Sequence, residues 1–313
     1  MGLPVTNELI ITRAKFIVSE KNIQTKCTFS TGWLKHFKQR YNIVNRKAGS
    51  TLIRKDEHEL SMLLSFVKKV NKLINSDEYY AIINIDEMGL YYDSKIERTL
   101  DVKGTKRVEI KTTGREKQRI SIILGIDLLR KINMIPLIIL KGKTKRCINH
   151  IPLKDSYTLS YQENAWCDED QFIKFLSSLP KNKKILLLYD NFKAHITKKV
   201  IDYIHNEYPL IDVLLLPQNT TSILQPLDIG VNKLVKGHIK NEYINWLINN
   251  FNEDDKSLPK LIKHERNTLL VKWISNSWKK INNNPIKNSF NFCGYGVSKD
   301  VEPGWIKYYI QNK

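Results

Sequence analysis

The sequence predicts an α/β protein, a mixed-sheet domain preceded by a small all-α domain. Three observations lead there. Up to about residue 75, apolar residues recur at helical spacing. From residue 81, short continuous apolar runs take over, and several end in an acid. Farther on, such runs alternate with helical stretches, as strands and helices do in α/β units. The composition agrees. The chain has 313 residues, 42% of them hydrophobic, enough for about two domains with buried cores and incompatible with disorder along the whole length.

The first helix spans 8–21, where Ile10, Ala14, Ile17 and Val18 share a face. The second spans 30–41, with Ser30 placed to cap it and Trp33, Leu34 and Phe37 on its apolar side. Two short helices, the second of them basic, have the layout of a helix-turn-helix. Periodicity alone fits a helical hairpin with a solvated basic face equally well. Residues 44–56 read as a basic linker, and a leucine-rich stripe predicts a helix over 57–75.

Strands are predicted at 81–86, 119–127 and 134–140, the last two paired antiparallel across a short turn. The polar stretch 94–118 lies between the first two. A helix at 168–179 follows, then a strand at 184–190, a helix at 194–206, a strand at 211–217 and a long helix over 227–250. An acidic loop at 252–260 leads to an amphipathic helix around Trp273 and Trp278, and no internal repeat is found. Three strands followed by helix, strand, helix, strand and helix is the order of a ribonuclease H-like fold, although other α/β folds share parts of it.

Lys and Arg number 51 against 32 acids, a formal net charge of +19. So large an excess points to a polyanion, nucleic acid before an acidic membrane surface. No apolar run approaches the ~20 residues that span a bilayer. The four cysteines form no CxxC pair, which argues against a disulfide framework and a cysteine zinc site and favours a reducing compartment.

Asp86 and Asp190 close two predicted strands, and Asp228 opens the long helix. In the predicted sheet the strands carrying the first two are neighbours. Three converging carboxylates repel one another without a cation. With Mg²⁺ or Mn²⁺ they make a hard, all-oxygen site, and two such ions ~4 Å apart can clamp both oxygens of a phosphodiester displacement. Taken singly, each acid is better read as a turn former or helix cap.

The surrounding residues say more. Asp86 lies in NIDEMGLYYD, Asp190 in LLLYDNFKAH and Asp228 in LLPQNTTSILQPLDIGV. These segments resemble, in order, the transposase domain of the pogo/Tigger branch of the Tc1/mariner superfamily, with its NxDExGL, LLxDNxxxH and LPPNTTSxLQPLDxGV segments. LKGKTKRCIN (140–149), NAWCDEDQF (164–172) and the segment from Phe290 to Gly294 continue the likeness, and FSTGWLKHFKQRYNI (29–43) is similar to the second helix-turn-helix of centromere protein B-type DNA-binding domains. Gln218 in place of a proline, and Phe192-Lys193 inside the second segment, depart from the pattern.

The resemblance implies four regions: residues 1–46, a centromere protein B-type helix-turn-helix; 47–78, a basic linker and helix; 79–250, a ribonuclease H-like DDE endonuclease; and 251–313, a C-terminal helical extension. It implies Asp86, Asp190 and Asp228 as catalytic and metal-binding residues for two Mg²⁺ or Mn²⁺ ions. Glu87 and Asn191 would orient those ligands or their waters, or merely solvate the turns. His195 would approach a substrate phosphate or cap the next helix. Thr31, Lys35, Lys38, Gln39 and Arg40 would contact double-stranded DNA, and Lys141, Lys143, Lys145, Arg146, Lys233, Lys236, His238 and Lys240 would track its phosphates. The family carries a further helix-turn-helix ahead of this one, and its absence here is expected to weaken site-specific binding to transposon ends. The implied activity is metal-dependent DNA cleavage and strand transfer in the nucleus, with no membrane or small-molecule substrate and with homodimerisation left open. The rival expectation is a domesticated, inactive chromatin binder. A stand-alone nuclease for RNA–DNA hybrids fits neither QPLDIGV nor the N-terminal helices.

Overall fold

A computed structural model describes residues 7–44, 57–92, 118–250, 258–296 and 303–306. Most of the basic linker at 44–56, of the stretch 94–118 and of the acidic loop 252–260 lies outside these residues. The chain divides into two compact units, Met1–Lys55 and Asp56–Lys313.

The first unit holds α1 (Asn7–Glu20) and α2 (Thr31–Arg40). Ser30 caps α2 as expected, its hydroxyl accepting from the Trp33 amide at 3.3 Å. Leu34 is buried, and Phe29, Trp33, Phe37 and Tyr41 form a column of rings with neighbouring centroids 4.9–5.1 Å apart. Aromatic contacts of this kind hold a unit too small for a large aliphatic core. Thr31, Lys35, Gln39 and Arg40 are exposed.

The second unit is built on a six-stranded sheet of order β4-β3-β2-β1-β5-β6. Its strands are β1 (Ala81–Tyr91), β2 (Arg119–Asp127), β3 (Leu137–Lys141), β4 (Thr158–Gln162), β5 (Ile185–Tyr189) and β6 (Ile211–Leu215). β1 and β2 pair antiparallel, as do β2 and β3, whereas β3–β4, β1–β5 and β5–β6 are parallel. The expected adjacency of the strands before Asp86 and Asp190 is thus observed. β4 is an additional edge strand that the apolar pattern did not predict.

Both faces of the sheet are covered, as parallel pairing demands. Alternation sends Ile82, Ile122, Ile138 and Leu186 to one side, where α3 (Glu57–Ile74), α7 (Asn232–Asn250), α8 (Lys263–Lys279) and α9 (Asn283–Cys293) contribute to a single core. Ile83, Ile123, Ile139 and Leu187 face the other side, against α4 (Glu169–Leu176) and α5 (Lys198–Glu207). The result is a three-layer α/β/α unit. The helices α3, α8 and α9 share the first core through Leu63, Val67, Leu270, Trp273 and Phe290.

Three boundaries differ from expectation. β1 does not stop at Asp86 but runs on to Tyr91, because its hairpin with β2 continues to Arg119 after β5 has left it at Asn84. The third predicted strand begins at Leu137, after Pro136, which donates no ladder hydrogen bond. The long helix is preceded by a short helix, α6 (Thr221–Leu224), and opens as a π-helical turn over Leu227–Val231. Such turns recur at functional sites.

Candidate active site

The site lies at the carboxyl ends of the parallel pair β1 and β5, where ligands collect in open α/β sheets. Asp86 sits two residues beyond the last β1–β5 pair, and Asp190 directly follows β5. Asp228 stands in the π turn.

A buried polar staple joins these pieces. Asn84 and Gln225 are each 0% exposed. Asn84 donates to the Leu188 carbonyl at 2.9 Å and to Gln225 Oε1 at 2.8 Å, and its own oxygen accepts from the Leu227 amide at 3.0 Å. Gln225 in turn donates to the Ile85 carbonyl at 3.1 Å. β1, β5 and the start of the π turn are therefore fixed to one another next to all three acids. Buried amides are tolerated only when satisfied in this way.

Asn232, at the start of α7, completes the arrangement. Its amide nitrogen donates to Asp86 Oδ2 at 2.7 Å and to Asp228 Oδ1 at 3.0 Å. One amide thus holds two carboxylates in immediate proximity. Burial pushes the Asp86 carboxyl well above the usual carboxylate range, and the charge of Asp228 adds to this; the Asn232 and Gln225 amides oppose the rise, and Asp190 contributes a smaller increase. The cluster is short of positive charge, and its donor set of carboxylate oxygens suits a hard divalent cation.

Asp190 faces this pair but is engaged elsewhere. Its Oδ1 lies 2.7 Å from His195 Nδ1. His195 is buried, stacks on Phe172 with centroids 4.3 Å apart, and presents Nε2 to the Cys167 thiol at 3.9 Å. It caps no helix, since Thr197 caps α5. Burial raises the Cys167 thiol, helped by Glu87, Asp168 and Asp190. Among the described residues, no three His, Cys, Asp or Glu side chains converge into a finished metal site. Asp86 and Asp228 are drawn together, with Asp190 turned onto its histidine.

Glu87 is not brought to the acids. Because β1 continues past Asp86, strand alternation points Glu87 to the opposite face. There it accepts hydrogen bonds from Arg119, at 2.9 Å, and from the Ser121 hydroxyl. Asn191 follows Asp190 in the connection after β5 and is half-buried. In the helical unit, Lys38 is half-buried and donates to Asn7 Oδ1 on α1 at 3.3 Å, so it is less free than Lys35 or Arg40. Asn84, Gln225 and Asn232 are site residues that the sequence did not single out, and of the two expectations for His195 the structure overturns the helix cap, which falls to Thr197. The one local signal was a polar Asn84 inside the apolar run AIINID.

These features define a mixed-sheet domain carrying an acidic site, linked in sequence to a small basic helical unit. Residues 117–290 match the DDE superfamily endonuclease family, and residues 1–47 match the Tc5 transposase DNA-binding domain. The chain belongs to the DDE superfamily endonucleases. The mouse protein "Pogo transposable element with KRAB domain" is 27% identical over 96% of this chain and 50% of its own length. CENP-B homolog protein 2 of Schizosaccharomyces pombe is 23% identical over 80% of this chain and 48% of its own. The chain spans about half the length of these curated relatives. A Mos1 transposase paired-end complex with left transposon end shares the fold, with a TM-score of 0.55 at 11% identity over 100% of this chain and 80% of that one.

Proposed function

We propose that this protein is a metal-dependent DNA endonuclease and strand transferase of the pogo type. The observation that carries the reading is the bridging of Asp86 and Asp228 by one amide beside Asp190, in a chain of the DDE endonuclease family. Asp86, Asp190 and Asp228 would hold Mg²⁺ or Mn²⁺ as a two-ion site. When bound, such ions activate the attacking oxygen and offset charge on the phosphodiester. The protein's own part is positional. Asn84 and Gln225 fix the acids' backbones, His195 orients Asp190, and Asn232 keeps Asp86 and Asp228 together.

DNA would be held first by the helical unit through Thr31, Lys35, Lys38, Gln39 and Arg40. The second unit adds exposed Lys141, Lys145, Lys233, Lys236 and Lys240. A recess lined by Lys143, Arg146, His150, Lys263 and His264 suits phosphate. Two copies acting on paired DNA ends, in the nucleus, belong to the same reading. Exchanging Lys35, Gln39 and Arg40 for Ala should weaken duplex binding. It should also flatten the salt dependence by about one unit of log–log slope for each phosphate no longer neutralised. An unchanged slope would move the binding surface elsewhere.

The second reading is a DNA-binding protein without nuclease activity. It is supported by the engagement of Asp190 with His195 and by relatives that include a CENP-B homolog. Supercoiled plasmid separates the two. Nicking with Mg²⁺ or Mn²⁺, and none with Ca²⁺ or a chelator, is the result expected of the enzyme. Duplex binding without nicking under any divalent ion is the result expected of the binder.

A further inference from the structure

Asn232 sits where a helix has no use for it. It is the first residue of α7 and continues directly from the π turn with helical backbone angles, φ −57° and ψ −40°. Its backbone amide already donates to the Leu227 carbonyl. The residue is 6% exposed. A buried asparagine in a continuous helix is a poor choice for helix stability, because its short polar side chain competes for backbone hydrogen bonds. The work of that side chain must account for its presence.

One end of the side chain is doubly engaged and the other is not. Nδ2 donates to Asp86 Oδ2 at 2.7 Å and to Asp228 Oδ1 at 3.0 Å. Oδ1 is buried and has no hydrogen-bond partner among the described residues. Half a rotation about the terminal torsion, which is soft and roughly two-fold, exchanges the two ends in place. Either orientation strands one end of the amide, so what stands between Asp86 and Asp228 decides between them. With no cation there, an oxygen facing two carboxylates is repelled, and the N–H₂ group wins by bridging them. With a hard divalent cation there, the N–H₂ group is repelled and the amide oxygen is attracted, since carboxylate and carbonyl oxygens both suit such ions.

We propose that Asn232 is a reversible stand-in for the cation: its N–H₂ group bridges Asp86 and Asp228 when no ion is bound, and its amide turns over to supply Oδ1 as a ligand when Mg²⁺ or Mn²⁺ enters. The inference rests on the divalent-cation reading of the three acids and deepens it. Two carboxylates are thereby kept close and ordered before the ion arrives, and the ion meets a site already assembled.

The test is Mn²⁺ binding to the full chain, followed by loss of the free-ion electron paramagnetic resonance signal, with thermal melting in Mn²⁺ and in chelator. Asp228→Asn defines the share of binding that belongs to the site. Asn232→Leu and Asn232→Ala remove both donor and ligand, and they differ in bulk, so failure of one to fold leaves the other. Asn232→Asp removes the donor but offers an oxygen in either orientation. In chelator all of these Asn232 variants should melt below the parent. The Leu and Ala variants should bind Mn²⁺ at least about tenfold more weakly than the parent, the scale on which a metal site responds to loss of a supporting group. Asn232→Asp should bind at least as tightly as the parent, and Mn²⁺ should raise its melting temperature by more. Tighter binding by the Leu or Ala variant would make the amide a competitor of the ion. Weaker binding by Asn232→Asp would make it a spacer acting through its N–H₂ group alone. Either result, or unchanged binding in every Asn232 variant, overturns the proposal while leaving an Asp228-dependent cation site in place. Parental Mn²⁺ binding that Asp228→Asn leaves intact rejects the cation site itself, and the proposal with it.

Discussion

Asp190→Asn is expected to reduce divalent-ion-dependent nicking of supercoiled DNA at least about a hundredfold, the scale of removing one preorganised charge from a transition state, while duplex binding stays at the parental level. The side chain keeps its shape but loses its negative charge and its strength as an oxygen ligand. An amide also disturbs the 2.7 Å contact with His195, which a carboxylate satisfies with a protonated Nδ1 whether or not the ring is charged. Parental DNA affinity is expected because, in the proposed reading, exposed Lys35, Gln39 and Arg40 on α2 hold the duplex. Plasmid nicking measured alongside duplex titration checks both halves. Equal nicking by variant and parent would remove Asp190 from the chemistry.

The second large effect is on stability. Asn84→Leu keeps the number and branching of the side-chain heavy atoms, with bulkier methyls, but leaves Gln225 Oε1 and the Leu227 amide without the partners found at 2.8 and 3.0 Å. Each buried polar group left unpaired costs about 1–3 kcal/mol, so a destabilisation of roughly 3 kcal/mol is expected by denaturant titration. Replacing both Asn84 and Gln225 by Leu should destabilise by less than the two single changes combined, because each single change strands the other's partners. Strict additivity would show that the two amides do not act as a unit. Nicking should fall in Asn84→Leu beyond what the unfolded fraction explains, since the staple sets the π turn bearing Asp228 against β1.

What could be read in advance follows from what each signal measures. Apolar periodicity reports burial, and it located α1, α2, α3 and strands β1, β2, β3, β5 and β6. It missed β4, whose residues TLSYQ sit at the sheet edge with only two of five fully buried. It also ended β1 early, because past Asp86 the strand is covered less completely. Because the strand continues, Glu87 takes the face opposite Asp86, since side chains alternate along it. An acid closing an apolar run is an ambiguous sign. Asp127 closes β2 much as Asp190 follows β5, yet its two oxygens accept from the backbone amides of Ile82, Leu129, Lys131 and Ile132 at 2.7–3.0 Å, and its role is to fix a turn. Only the residues around Asp86, Asp190 and Asp228 set them apart. The roles of His195 and Asn232 were beyond reach for another reason. Each acts through a contact whose partner is fixed by the folded backbone, such as Asn232 with Asp86 across 146 positions of chain.

If Asp86, Asp190 and Asp228 together hold a divalent cation for DNA cleavage, crystals of the full chain soaked in Mn²⁺ should reveal it by anomalous scattering. A manganese peak is expected between these three carboxylates, with oxygen ligands at the short distances of hard-cation coordination, and with Asp190 keeping one oxygen on His195 while the other reaches the ion. Manganese bound elsewhere, or a site that stays empty at Mn²⁺ concentrations that support nicking, would show that the three acids do not form the cleavage centre.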